Sequence, residues 1–262
     1  MIMNLYLLYF FTGSLGGFFG GLLGLGGGII FVPFLFFIFS HFDIHSTHIM
    51  QSAICTSLAC IIISSLSSTY KHNKNKLVDW NFFKRMLVGL SIGSILGIVV
   101  ISYLTSDSLK FYYGLFLILI SFYIFLSEEK KINVEKKFKY IISFSFFTGL
   151  LSSMLGIGGG TITTPYMKSH GKPIKKCIAT AAACGIPIAI FSVFSSILIN
   201  INLTLLDSFA GFIHIESFLI ISFTSLFFSY LGASVAYTAN SFFIKSVFCT
   251  AILIMGLVII SS

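Results

Sequence analysis

A cluster of four glycines in five residues occurs twice in this chain, each time within a strongly apolar stretch. Gly24-Leu25-Gly26-Gly27-Gly28 with Pro33 returns as Gly156-Ile157-Gly158-Gly159-Gly160 with Pro165, at one constant spacing. Glycine exposes backbone and favours no helical well, so such a run unwinds a helix. Within a bilayer, unwound peptide groups are tolerated only where they line a cavity or pack against protein. Two such breaks at corresponding places in two halves are the pattern of a transporter with its binding site near mid-membrane. Neither run fits a Walker A or dinucleotide-binding fingerprint, which need a strand-loop-helix context.

The membrane setting follows from composition. Of 262 residues, 56% are hydrophobic and only 9% charged, and mean hydropathy is +1.01. Soluble domains carry about 25% charged residues, so this is the composition of an integral membrane protein. The formal charge of +8 would suggest nucleic acid in a soluble chain. Here the basic residues lie in short loops, where they report orientation, and no nucleic-acid partner is expected. The five cysteines, Cys55, Cys60, Cys177, Cys184 and Cys249, all fall in apolar stretches and read as small packing residues. Residues 2–23 are not preceded by Lys or Arg, lack a basic leader region and are read as a retained span.

A span needs about 20 apolar residues. Candidates are 2–23, 49–70, 84–105, 110–127, 138–155, 177–199, 218–236 and 242–261; 29–39 and 161–167 are too short to cross alone. Those two pieces follow the glycine runs, so each reads as a half-helix returning from mid-membrane or the second part of a broken helix. Further matches relate the halves: Gly97 and Lys110 to Gly232 and Lys245, and Cys55-Thr56-Ser57 to Ala179-Thr180-Ala181. The expected fold is all-α: a polytopic transmembrane protein of about eight membrane segments, with two repeats and glycine-broken or re-entrant helices.

Charge decides how the repeats are related. Lys71, Lys74, Lys76, Lys84 and Arg85 follow the Thr56 segment, whereas 200–207 after the Thr180 segment has no Lys or Arg. Conversely, Lys168, Lys172, Lys175 and Lys176 precede the Thr180 segment, whereas 41–48 has none. By the positive-inside rule the halves face opposite ways, as an inverted repeat. Expected units are a first repeat at 1–127, a cytoplasmic linker at 128–139 and a second repeat at 140–262. This places 14 of the 16 basic residues inside, and Lys245 with them, while both ends lie outside if the glycine units re-enter.

Helix N-termini expose unpaired N–H groups and a partial positive charge, so half-helices beginning near Gly28 and Gly160 are suited to an anion. The expected substrate-binding set is Gly26, Gly27, Gly28, Gly158, Gly159 and Gly160 with the hydroxyls of Thr56, Ser57, Thr161 and Thr180. Gly24, Pro33, Gly156, Pro165 and Pro187 are the expected break or hinge positions. Pro33 and Pro165 are read as tolerated near a helix start, where no N–H is lost, and Pro187 as a kink. Upstream, Gly13, Gly17 and Gly21, Gly16, Gly20 and Gly24, Gly149 with Ser153, and Ser152 with Gly156 form small-residue packing ridges. His41, Asp43, His45 and His48 have a spacing compatible with a metal, yet no second cluster accompanies them; capping of the next helix is the expectation. His214 and Glu216 read as interfacial. No metal or cofactor is expected, and no carboxylate or base stands at mid-membrane for proton coupling or catalysis.

With those residues in view, the chain resembles the sulfite exporter TauE/SafE family. The resemblance rests on Gly24–Gly28 with Pro33, Thr56-Ser57-Leu58, Gly156–Gly160 with Pro165, the run Thr180–Pro187, and Leu231-Gly232-Ala233. It implies a permease of a bacterial inner membrane for sulfite, sulfonates or other small anions. Ala181 stands where Ser57 predicts serine, a departure that weakens the second half-site. The expected function is secondary transport of a small anion, more readily outward, and not enzymatic. A channel-like anion pore and a non-transporting membrane scaffold are the alternatives.

Overall fold

The computed structural model describes residues 2–44, 48–126, 140–199, 209–236 and 241–261. The 128–139 linker, His45 and the 200–207 loop lie outside them, as does the side chain of Lys245. The described residues form ten helices and one two-residue hairpin. In the first half these are α1 (Ile2–Leu23), α2 (Gly28–His41), α3 (Ile49–Lys74), α4 (Trp80–Tyr103) and α5 (Ser106–Leu126). The second half holds α6 (Ile141–Met154), α7 (Gly160–Ser169), α8 (Ile174–Ile199), α9 (Ile215–Val235) and α10 (Ser241–Ser261), with β1 (Phe209–Ala210) and β2 (Ile213–His214) before α9. The protein is an all-α polytopic membrane protein. Five of its helices, α1, α3, α4, α8 and α9, are long and apolar enough to cross a bilayer.

The packing maps onto itself when the halves are exchanged. α1 packs on α9 as α6 packs on α4; α3 meets α9 as α8 meets α4; α2 lies on α3 as α7 lies on α8. The pairs α3–α8 and α5–α10 map onto themselves. Glycines set the close pairs. Gly13, Gly17 and Gly21 of α1 face Ile221 to Thr224, Ser225 and Ser229 of α9, so these helices run parallel. In the other pair the ridge comes from α4: Gly89, Gly93 and Gly97 face Ser145, Phe146 and Ser153 of α6. The expected ridges at Gly13–Gly21 and Gly149 thus pack as helix contacts, whereas Gly16 and Gly20 face Phe31 and Gly27 within their own hairpin.

Direction follows from register. α3 and α9 run parallel, because Thr56 meets His214, Ser67 meets Leu226 and Lys71 meets Tyr230. α5 and α10 run antiparallel: Gly114 lies against Gly256, and Ser121 Oγ donates to Cys249 O at 2.8 Å. Both glycine units double back. Tyr9 near the start of α1 and Phe39 near the end of α2 both flank the His214 ring, at 6.3 and 5.5 Å between centroids. In α6–α7 the ring of Tyr166 returns to stack on Phe144 at 3.6 Å. Each unit therefore starts and ends at one end of the molecule, as a re-entrant hairpin does.

Two local expectations are corrected. Pro33 and Pro165 are not in the first turn. Each is the sixth residue of its helix, so a ladder bond is lost, to the carbonyls of Ile29 and Thr161. Tyr113 OH takes up the freed Ile29 carbonyl, at 3.5 Å. His48 stands at the N-cap of α3 but its side chain makes no capping bond; its ring lies against Phe212 instead, 5.4 Å away.

Candidate functional site

The two glycine runs meet at the centre of the molecule. A Cβ built on Gly26 would lie 3.4 Å from Gly158 Cα, and one built on Gly158 would lie 3.3 Å from Gly26 Cα. On either side, Gly28 abuts the carbonyl of Gly156 and Gly160 abuts the carbonyl of Gly24. The runs therefore cross antiparallel, with corresponding residues exchanged, as a two-fold axis between Gly26 and Gly158 requires. All ten residues of the runs are buried. The crossing is closed in this structure: backbone lies directly on backbone, and a Cβ at Gly28 or Gly160 would run into the facing carbonyl.

Each run delivers a helix N-terminus to that point. α2 begins at Gly28 after Gly27 (φ +88°), and α7 begins at Gly160 after Gly159 (φ +73°). Both caps are left-handed, where glycine alone is unstrained. Ile30 N and Phe31 N donate to Gly27 O, and Ile162 N and Thr163 N to Gly159 O, at 2.9–3.2 Å. The preceding amides, including Gly28, Ile29, Gly160 and Thr161, lie outside those ladders, as the first amides of any helix do. Two positive helix ends thus sit side by side in an apolar interior.

α3 is the polar scaffold around them. Ser57 Oγ donates to Gly156 O at 2.9 Å, and Ser64 Oγ donates to Gly26 O at 2.7 Å. The corresponding residues of α8 include Ala181, which has no hydroxyl, and Ile188, which packs at Gly159. Sequence reading expected the Ala181 asymmetry but missed Ser64, whose partner lies far away in the chain. Three buried hydroxyls near the crossing, those of Ser65, Ser152 and Thr161, have no hydrogen-bond partner among the described residues. Ser65 Oγ lies 3.0 Å from where a Cβ of Gly26 would stand and 2.8 Å from that of Gly185. Ser152 Oγ lies 3.5 Å from that of Gly159. The signal that could have found Ser65 was the series Ser57, Ser64, Ser65 and Ser68, which falls on one face of a membrane-spanning helix.

Thr56 and Thr180 sit further out and hold other groups. Thr56 Oγ1 accepts from His214 N at 3.0 Å, and Thr180 Oγ1 accepts from Asp79 N at 2.9 Å while donating to Lys176 O at 2.8 Å. His214 and Asp79 are the N-caps of α9 and α4, and each caps with its own side chain. Each half thus holds the capping residue of the other. At Asp79 the link is strengthened by Lys172, Nζ to Oδ2 3.9 Å, with both side chains about four-fifths buried. His214, expected at the interface, is only 5% exposed and lies among Tyr9, Phe39 and Phe209. Pro187 lies inside an unbroken α8.

Residues 9–259 match the family model described as Sulfite exporter TauE/SafE. A protein of Haemophilus influenzae named a probable membrane transporter protein is 29% identical over 231 residues, spanning 87% of this chain and 88% of the relative. Relatives with the same description from Methanocaldococcus jannaschii and Bacillus subtilis are 32% and 33% identical, spanning 66% and 59% of this chain and 65% and 64% of their own lengths. No solved structure matches.

Proposed function

This chain belongs to the sulfite exporter TauE/SafE family and is a multi-pass membrane transporter; we propose that its solute is a small oxyanion bound where the two glycine runs cross. The observation that carries the proposal is the antiparallel meeting of two helix N-termini beside buried, unpartnered hydroxyls. Such a place offers N–H and O–H donors and partial positive charge but no fixed cation, so it neutralises an anion without trapping it. The amides of Gly26–Gly28 and Gly158–Gly160 and the hydroxyls of Ser65, Ser152 and Thr161 are the proposed ligands. Ser57, Thr56 and Thr180, whose hydroxyls hold backbone groups, fix the walls around them. Separation of the runs, with Gly24, Gly156 and the second turns of α2 and α7 at Pro33 and Pro165 as hinges, opens the site to one side at a time.

Energetics favour export across a bacterial inner membrane. A potential of about 100 mV, inside negative, is worth about 2.3 kcal/mol per elementary charge and drives an anion outward. Export then needs no coupling ion, consistent with the absence of an ionisable residue among those lining the crossing. Sulfite, a compact oxyanion rich in acceptors, suits the amide and hydroxyl donors of the two helix starts.

The test is efflux of radiolabelled sulfite, with sulfate as comparison, from proteoliposomes under an imposed potential. Sulfite flux that rises with an inside-negative potential and saturates with concentration supports the proposal. No flux of either anion above empty liposomes, from protein shown to be folded, contradicts it. Unitary currents would replace the carrier with a pore.

A further inference from the structure

Between α3 and α9 lies a cavity of about 520 Å³ that has no part in the crossing. Its walls are Ile63, Leu66 and Tyr70 of α3 and Leu226, Phe227 and Leu231 of α9, together with Ser67 and Tyr230. The one hydroxyl of a serine there is spent: Ser67 Oγ donates to Leu226 O at 2.6 Å. Leu66, Leu226, Phe227 and Leu231 are each 44–53% exposed, so the cavity opens on the side of the molecule. Both helices are of spanning length, and that side faces acyl chains.

One end of the groove is charged. Lys71, in the last turn of α3, places its Nζ 4.7 Å from the centroid of the Tyr230 ring, at the groove's mouth. An aromatic face holds a cation without neutralising its charge. Lys74 follows one turn fragment later, on the exposed end of the helix. From Ile63 to Tyr70 the groove runs about 10 Å along the helix, most of one leaflet of a hydrocarbon core about 30 Å thick.

The other half of the molecule lacks the device. At the positions that correspond to Lys71 and Tyr230 stand Ser195 and Ile95, and there Ser195 Oγ donates to Ile95 O at 3.4 Å. The pseudo-symmetry preserves the helix contact and removes both the cation and the ring. A charged groove therefore exists at one membrane face only, the face carrying the lysine-rich 71–85 loop.

We propose that the α3–α9 groove is a binding site for an anionic phospholipid of the cytoplasmic leaflet, its acyl chain along Leu66, Leu226 and Leu231 and its phosphate on Lys71. The ammonium held over Tyr230 supplies the charge complement, and the apolar walls supply the chain site. Neither depends on which solute is carried.

The test is native mass spectrometry of the delipidated full-length protein, titrated with phosphatidylglycerol or with phosphatidylcholine of the same chains. One phosphatidylglycerol is expected to bind about fivefold more tightly than phosphatidylcholine, the worth of one lysine near an anionic headgroup. Lys71→Gln, a partly exposed position, should abolish the preference while leaving weak binding of both lipids; Leu226→Trp, which fills the groove, should weaken both. Equal affinities in the wild type, or a preference that survives Lys71→Gln, overturns the proposal. So does a dimer mass that Leu226→Trp abolishes, which would assign the groove to a second copy of the chain.

Discussion

At the scale of single residues, position within the glycine runs decides what a substitution costs. Gly26 is left-handed (φ +71°), yet its nearest neighbours are side-chain atoms of Ser65 and Ile61, at 3.0 and 3.1 Å, which can move. Gly28 has ordinary helical geometry, but a Cβ there collides with the backbone carbonyl of Gly156. Gly26→Ala should therefore cost about 1–2 kcal/mol, the left-handed penalty, and leave a folded protein. Gly28→Ala should cost more, because two backbones must part. Thermal unfolding of the two variants in one detergent checks the order; equal loss contradicts it. The cross-half caps give a second test. Thr180→Val leaves Asp79 N without its acceptor and should destabilise by about 1–3 kcal/mol, as Thr56→Val should for His214 N. An unchanged unfolding temperature in both would remove those bonds from the account.

The glycine runs were legible because they cluster instead of falling at the four-residue spacing of a helix ridge, and because the cluster recurs. The hydroxyl roles were not. Ser64 finds Gly26 O within the first half, and Ser57 finds Gly156 O across the halves. Thr56 and Thr180 read as solute donors because a hydroxyl in an apolar helix announces a partner without naming it. Only the crossing of the halves shows those partners to be His214 N and Asp79 N.

At the scale of elements, glycine ridges fix which helices touch. The ridge of α1 was legible in the sequence; the equivalent interface in the other half combines the expected Gly149 of α6, against Leu90, with Gly89, Gly93 and Gly97 of α4, of which the repeat had matched Gly97 alone, to Gly232 of α9. Helix positions were read to within a few residues from apolar length. α6 ends at Met154, one residue before its expected end, where the second glycine run begins. Gly17→Leu and Gly93→Leu should each disrupt one pair, α1–α9 or α4–α6, since a Cβ at Gly17 lies 2.8 Å from Ser225 Cα and one at Gly93 meets Phe146 O. Size-exclusion profiles should show both variants loosened or aggregated; a wild-type profile for either contradicts the ridge assignment.

At the scale of the whole molecule, the charge asymmetry and the re-entrant hairpins make one statement about orientation. The end carrying His41 should face outward and the end carrying Asn75 inward, both being exposed positions. An impermeant maleimide on intact cells should label His41→Cys, and should label Asn75→Cys only after lysis. The native cysteines, buried wherever described, leave a low background. The reverse pattern would invert the topology and, with it, the leaflet of the α3–α9 groove. The central claim is narrower: the solute sits at the crossing of the glycine runs. The direct measurement is the concentration dependence of sulfite flux in proteoliposomes for wild type and for Ser65→Ala with Thr161→Val, both buried hydroxyls without a partner. Loss of hydrogen bonds to a charged group, each worth about 1.5–3 kcal/mol, should raise the half-saturating concentration at least tenfold while the unfolding temperature holds. Wild-type saturation and rate in the double variant would place the solute elsewhere.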